Sequence, residues 1–185
     1  MKENKSKYAI MGMLSMGPMS GYDIKKSFEK SLSYFWNESY GQIYPILKKL
    51  AKQGLATRSI KKQTGKPDRH NYALTDKGRE ALQDWMVQPV GRQIGRHEIL
   101  LKLFFGQQVS LSDNIRQVEH FRELQSQKLE EIRATEKLLK TDYKNNPALP
   151  YWLMTVRYGL HVNRAYLRWC KEAVAILKEM EQKAQ

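Results

Sequence analysis

From Asn37 to Thr75 the chain lays down an amphipathic helix, then two short strands dense in basic residues, then the start of another helix. In the first part, Ile43, Ile46, Leu47, Leu50 and Ala51 recur at three- and four-residue steps and define one apolar stripe. Gly54 follows the last of them and suits the left-handed backbone that closes a helix. Ser39 is the better amino-terminal cap, with Asn37 the alternative. Pro45 is out of place, because beyond the first turn a proline removes a backbone hydrogen bond. The helix therefore either starts later than Ser39 or bends at Pro45.

The second part holds Ile60, Tyr72 and Leu74 in two segments joined by Thr64-Gly65-Lys66-Pro67-Asp68, whose glycine, proline and aspartate are turn formers. Between Lys48 and Arg69 stand eight basic residues and one acid, Asp68. A solvated charged face is the plain reading of such a run. Helix and turn both being basic, back to back, favours phosphate contact instead.

The flanking sequence supplies the rest of a domain. Tyr8–Met16 is a nearly all-apolar helix, which implies burial, and Gly17-Pro18-Met19 breaks it. Ser20 and Asp23 form a capping box opening a second helix through Leu32, with Ile24, Phe28 and Leu32 inward. Thr75 caps a helix running to about Met86. Helix, helix, helix, strand, strand, helix is a winged helix-turn-helix, whose later helix enters the major groove. Pro89, Gly91 and Gly95 mark Gln88–Arg96 as a boundary, so residues 1–88 form a DNA-binding domain and 96–185 a second one. Arg92 and Arg96 in that boundary are either exposed linker or phosphate contacts.

In the second domain, His97–Phe105 reads as a short helix. Ser110 and Asp113 cap a long one carrying Leu111, Ile115, Val118, Phe121, Leu124, Leu129, Ile132 and Leu139. Pro147 and Pro150 end it. A last helix, about Tyr151 to Glu181, aligns Trp152, Val156, Leu160, Tyr166, Cys170, Ala173, Leu177 and Met180. Two helices of about 30 residues, each about 45 Å long, have more apolar stripe than one short helix can cover. A twofold partner subunit covers it, making this an α-helical dimerisation domain; the competing reading is an intrachain hairpin on a monomer. The fold class is mostly α, with a two-stranded β wing in the amino-terminal domain and two long helices in the other.

On the first turns of the third helix the exposed polar candidates are Ser39, Tyr40, Gln42 and Tyr44. Glutamine can pair with adenine, and tyrosines can bond phosphate or pack on a thymine methyl; the competing reading of Tyr40 and Tyr44 is as core aromatics. Lys48 and Lys52, four apart, are assigned to phosphates, with Lys49 beside them. In the wing Lys62, Lys66 and Arg69 flank the turn.

The stretches YAIMGMLSMGPMSGYDI (Tyr8–Ile24), GQIYPILKKLAKQGL (Gly41–Leu55), GKPDRHNYALTDKGREAL (Gly65–Leu82) and LLKLFFG (Leu100–Gly106) together resemble the PadR family of transcriptional regulators. The likeness is close over the first half; over the second half it follows only the order of elements of the longer, virulence-activator-type members. It implies a homodimeric repressor on dyad-symmetric double-stranded operator DNA, released by a small, often aromatic effector. It also places Tyr22, beside Gly21, at a position that contacts the DNA backbone. Tyr151, Trp152, Tyr158, Tyr166 and Trp169 then either line an effector pocket or form core.

Composition bounds the alternatives. A net charge of +13 implies a polyanionic partner, and the single Cys170 rules out an intramolecular disulfide and fits a reducing cytosol. The apolar run after the first lysines imitates a secretory signal, but no small-residue cleavage site follows, and no stretch is long enough to span a membrane. A cytoplasmic protein is expected. His70, His97, His120 and His161 are scattered, and no zinc spacing, glycine-rich phosphate loop or nucleophile-base pair occurs, so neither catalysis nor a cofactor or metal is expected. The remaining alternatives are a basic interaction module without sequence-specific regulation and a peripheral membrane protein.

Overall fold

The computed structural model describes residues 5–32, 35–61, 69–91 and 95–184, which belong to two compact units, Met1–Arg92 and Gln93–Gln185. The first contains α1 (Ser6–Ser15), β1 (Met19–Ser20), α2 (Gly21–Ser27), α3 (Tyr40–Lys52), β2 (Ala56–Lys61), β3 (Arg69–Leu74) and α4 (Asp76–Met86). The second contains α5 (Glu98–Phe104), α6 (Leu111–Asp142) and α7 (Leu149–Ala184). This is a mostly helical protein with an amino-terminal winged helix-turn-helix and two long carboxy-terminal helices.

The stripes expected from periodicity form the first core. Ile10, Met11 and Leu14 of α1, Ile24 of α2 with Phe28 just beyond it, and Ile43, Leu47 and Leu50 of α3 are all buried against Tyr72, Leu74 and Leu82. Tyr8 stacks on Trp85 at 4.5 Å, tying α1 to α4. Gly54, at φ +69°, ends α3: Leu55 N–H reaches back to the Leu50 carbonyl at 2.9 Å and Gly54 N–H to that of Ala51 at 3.1 Å. Thr75 caps α4, accepting from Gly78 N–H at 3.1 Å.

Three details depart from the sequence reading. Met19–Ser20 is a third strand, giving a sheet ordered β1-β3-β2 with Met19 opposite Tyr72 and Ser20 opposite Asn71. Two residues carry no alternation to read; they become a strand because β3 offers them an unpaired edge. The second helix stops as an α-helix at Ser27 and continues through Phe28–Leu32 as a wide π turn, with Phe28 fully buried. Pro45 lies inside α3, which begins directly after Ser39 and continues past it, so the late start is not the solution. The proline falls on the exposed side, where the carbonyl it leaves without a helical donor, that of Gly41, is open to water.

In the second unit α6 and α7 pack antiparallel, burying Leu129 and Ile132 with Val156 and Leu160, while Ile99 of α5 joins Val118, Cys170 and Val174. The long stripes thus face each other within one chain, apart from Leu124 and Met180, which stay about half exposed. Ser110 caps α6 through Asp113 N–H at 3.0 Å, and buried Asn114 donates to the carbonyls of Gly106 and Ser110 at 2.8 and 3.1 Å. Pro150 does not end a helix but occupies the first turn of α7, where its missing N–H costs nothing.

Candidate nucleic-acid interface

The amino-terminal ends of α2 and α3 come together on one surface. Tyr22 of α2 and Tyr40 and Tyr44 of α3 form a ladder of rings, with centroids 6.4 Å apart between Tyr22 and Tyr40 and 6.2 Å between Tyr40 and Tyr44. All three are exposed, at 47, 41 and 43%, so the core reading of Tyr40 and Tyr44 does not hold. Gly21 makes the ladder possible: a Cβ there would lie 2.6 Å from Cε1 of Tyr44, inside contact distance. Partial burial, with the Glu29 carboxylate, pushes the Tyr40 phenol above its ordinary value. Lys26 lies 4.8 Å from the Tyr22 ring, and the phenol beside it raises its pKa, so its charge persists.

Ser39 and Gln42 cap α3. The Gln42 amide oxygen accepts from both the Ser39 N–H and its hydroxyl, each at 2.9 Å. Pairing with adenine needs that oxygen as acceptor as well as the NH2 as donor. While its cap stands, Gln42 can only donate, which suits a purine N7 and does not separate adenine from guanine.

Lys48 and Lys52, with Lys49, are exposed on α3 and make no ion pair among the described residues. Arg58 on β2 lies against the His70 ring of β3, 3.0 Å from its nitrogens. Arg69 is engaged differently: its guanidinium pairs with Asp23 in the cap of α2. Lys62, Lys66 and the turn residues, like Arg92, lie outside the described residues. Sequence reasoning missed Lys26, although its four-residue spacing from Tyr22 on a short helix was readable. It also missed Gly21's steric role, which only the position of Tyr44 reveals.

In the second unit, Tyr166 and Trp169 pack edge-on against Phe121 at 5.7 and 6.1 Å, and Phe121 and Trp169 join the core there. Trp152 meets Tyr143 at 5.5 Å, whereas Tyr151 and Tyr158 are exposed. Cys170 is fully buried and its thiol is pushed up by that burial, which makes it a poor nucleophile. Among the described residues no cluster of His, Cys, Asp or Glu could hold a metal, and no helix is long and apolar enough to cross a membrane.

An exposed aromatic face at the start of the third helix, with exposed lysines further along it and a β wing beside it, defines a winged helix-turn-helix protein of the DNA-binding kind. Comparison with known proteins narrows the class. Residues 10–84 match the family model described as Transcriptional regulator PadR-like family, and residues 95–178 that described as Virulence activator alpha C-term. The chain is 30% identical over 177 residues to the negative transcriptional regulator PadR of Bacillus subtilis, spanning 92% of this chain and 96% of that one. A crystal structure of B. subtilis PadR in complex with operator DNA superposes with a TM-score of 0.80 at 30% identity, covering 94% of this chain and 99% of that one. Another, of B. subtilis PadR in complex with p-coumaric acid, gives 0.70 at 28% identity over 93 and 94%. The chain belongs to the PadR-like family of transcriptional regulators, DNA-binding proteins that are not enzymes.

Proposed function

We propose that this regulator is a homodimeric repressor that binds a dyad-symmetric operator and is released by a small aromatic effector. The observation that carries the reading is the ladder of exposed tyrosines at the start of α3, on a face whose lysines have no acidic partners among the described residues. Tyr22, Tyr40 and Tyr44 contact the backbone and thymine methyls; Ser39 and Gln42 present the first turn to base edges; Lys48 and Lys52, with Lys62 and Lys66 of the wing, hold phosphates. Residues 1–88 do this work and residues 96–185 pair the subunits. Support for pairing comes from apolar surface left uncovered in the second unit, including Leu101, Phe104, Tyr151, Met154 and Tyr158, with Phe104 81% exposed. Support for release comes from the relative solved with p-coumaric acid.

Selection of bound duplexes from random DNA tests this. The expected product is a twofold-symmetric motif with half-sites about one helical turn apart, bound by a species of twice the chain mass in sedimentation and weakened by added p-coumaric acid. A motif without dyad symmetry, or binding of single-stranded RNA as tight as of the selected duplex, would overturn the reading. Transcription from a promoter carrying the motif should fall when the protein is added and recover with the effector; a rise on adding the protein would make it an activator.

A further inference from the structure

Arg69 stands among eight basic residues that the sequence assigns collectively to phosphates, and the structure sets it apart from them. It opens β3, the central strand of the sheet, with Lys61 of β2 opposite it. Its guanidinium pairs with Oδ1 of Asp23, 46 residues away in the chain. Oδ2 of the same carboxylate accepts from the Ser20 N–H at 3.0 Å and the Ser20 hydroxyl at 2.8 Å, and Ser20 is itself paired with Asn71 of β3. One carboxylate thus joins the cap of α2, strand β1 and the first residue of β3. Both side chains are a little over one-third exposed. The guanidinium is not free to follow a phosphate: Asp23, its partner, is itself held by Ser20, and the Arg69 backbone is paired with Lys61 of β2. A guanidinium neutralised by a carboxylate also contributes little net charge to a polyanion.

We propose that Arg69 is a positioning residue, anchoring the basic strand pair to the cap of α2 through Asp23, and not a phosphate contact. Tyr22 directly precedes Asp23, so the anchor fixes the wing strands relative to the tyrosine ladder. Lys48 and Lys52 hold the DNA; Arg69 holds the surface that meets it. The DNA measurements rest on the proposed function, whereas the measurement on free protein does not.

The test uses the full chain carrying Arg69→Ala, Asp23→Asn or both, the asparagine keeping an acceptor for Ser20 while losing the charge. On the free protein, exchange of the Asn71 and Tyr72 amides should accelerate in both single variants, with global melting nearly unchanged; unaltered exchange would overturn the anchor. On selected duplex, each single variant should lose about three- to tenfold in affinity, as expected for a partly exposed ion pair felt at two half-sites. The double variant should be no worse than either single one, and the slope of log affinity against log salt should match the wild type. If Arg69 touches a phosphate, Arg69→Ala instead lowers that slope by about 0.9 per half-site, and Asp23→Asn, by releasing the guanidinium, tightens binding. Arg69→Lys, keeping charge but losing the planar fork, should recover only part of the loss; full recovery would also speak for a phosphate.

Discussion

Replacing Gly21 with alanine should separate DNA binding from stability. The new methyl would lie 2.6, 3.0 and 3.1 Å from Cε1, Cζ and Cδ1 of Tyr44, so the ring must retreat by about 1 Å to reach ordinary contact. It has room to do so, being 43% exposed, and the three atoms nearest the methyl all belong to that ring. Alanine favours the helix over glycine by up to about 1 kcal/mol, less at the first position. Against that, the stack of Tyr44 on Tyr40 is lost, worth about 0.5–1.5 kcal/mol. The two roughly cancel, and the melting point should move by no more than a few degrees. Binding has no such compensation. Each half-site loses its positioned phenol, about two- to tenfold by the same stacking energy, and a dyad operator contacted twice should lose about the square of that. Fluorescence anisotropy on the selected duplex, with thermal melts of the same samples, measures both. Affinity within twofold of wild type would refute the ladder as a DNA surface, and a melting point lowered by more than about 10 °C would refute the steric argument.

Gly78→Ala should do the opposite: its Cβ would lie 2.1 Å from the Leu55 carbonyl oxygen, which is backbone and also accepts the Thr75 N–H, so α4 must shift. Overpacking plus a lost hydrogen bond is about 2–4 kcal/mol, a fall of roughly 10–25 °C in melting of the amino-terminal unit; a fall under 5 °C would show that α4 adjusts freely. Lys48→Ala with Lys52→Ala should weaken specific and random duplexes alike and lower the salt slope by about 0.9 per phosphate released, so loss on the specific duplex alone would make these lysines base readers. Acid stability follows from Asp23 and Asp113: burial opposes ionisation of Asp23, but hydrogen bonds from Ser20 and Arg69 outweigh it, and Ser110 with Arg116 lowers Asp113. Both take up protons more readily unfolded than folded, so their stabilisation is complete above the ordinary carboxylate value and is lost as pH falls through their lower folded values. Urea midpoints should be level near neutrality and fall below about pH 4, and Asp23→Asn should flatten part of that fall.

Helices α3 and α6 were legible because each has a periodic apolar face, α1 because it is apolar nearly all round, and α4 because Thr75 caps it. Ser39, Gly54, Thr75 and Ser110 act within a few residues of themselves, so their roles need no knowledge of the rest of the chain. The tyrosines at the start of α3 and the lysines along its second half were legible for a related reason: the stripe fixes which side is buried, and the remaining positions must face outward. The alternative left open there, Tyr40 and Tyr44 as core, is closed by their exposure.

The order of elements, the buried side of each and the family to which they belong could be read along the chain, because these depend on spacing and on interactions a few residues long. The tertiary structure decided everything that joins residues far apart in the chain. Met19–Ser20 is a strand only beside β3, Gly21 matters to the ladder only because Tyr44 packs on it, and Arg69 is one more basic residue until Asp23, 46 positions away, takes its charge. Such contacts leave no period to read, since a pair brought together by folding can sit at any separation along the chain. They also separate residues that the sequence grouped by charge, because an exposed lysine offers its charge to a phosphate and a paired arginine does not.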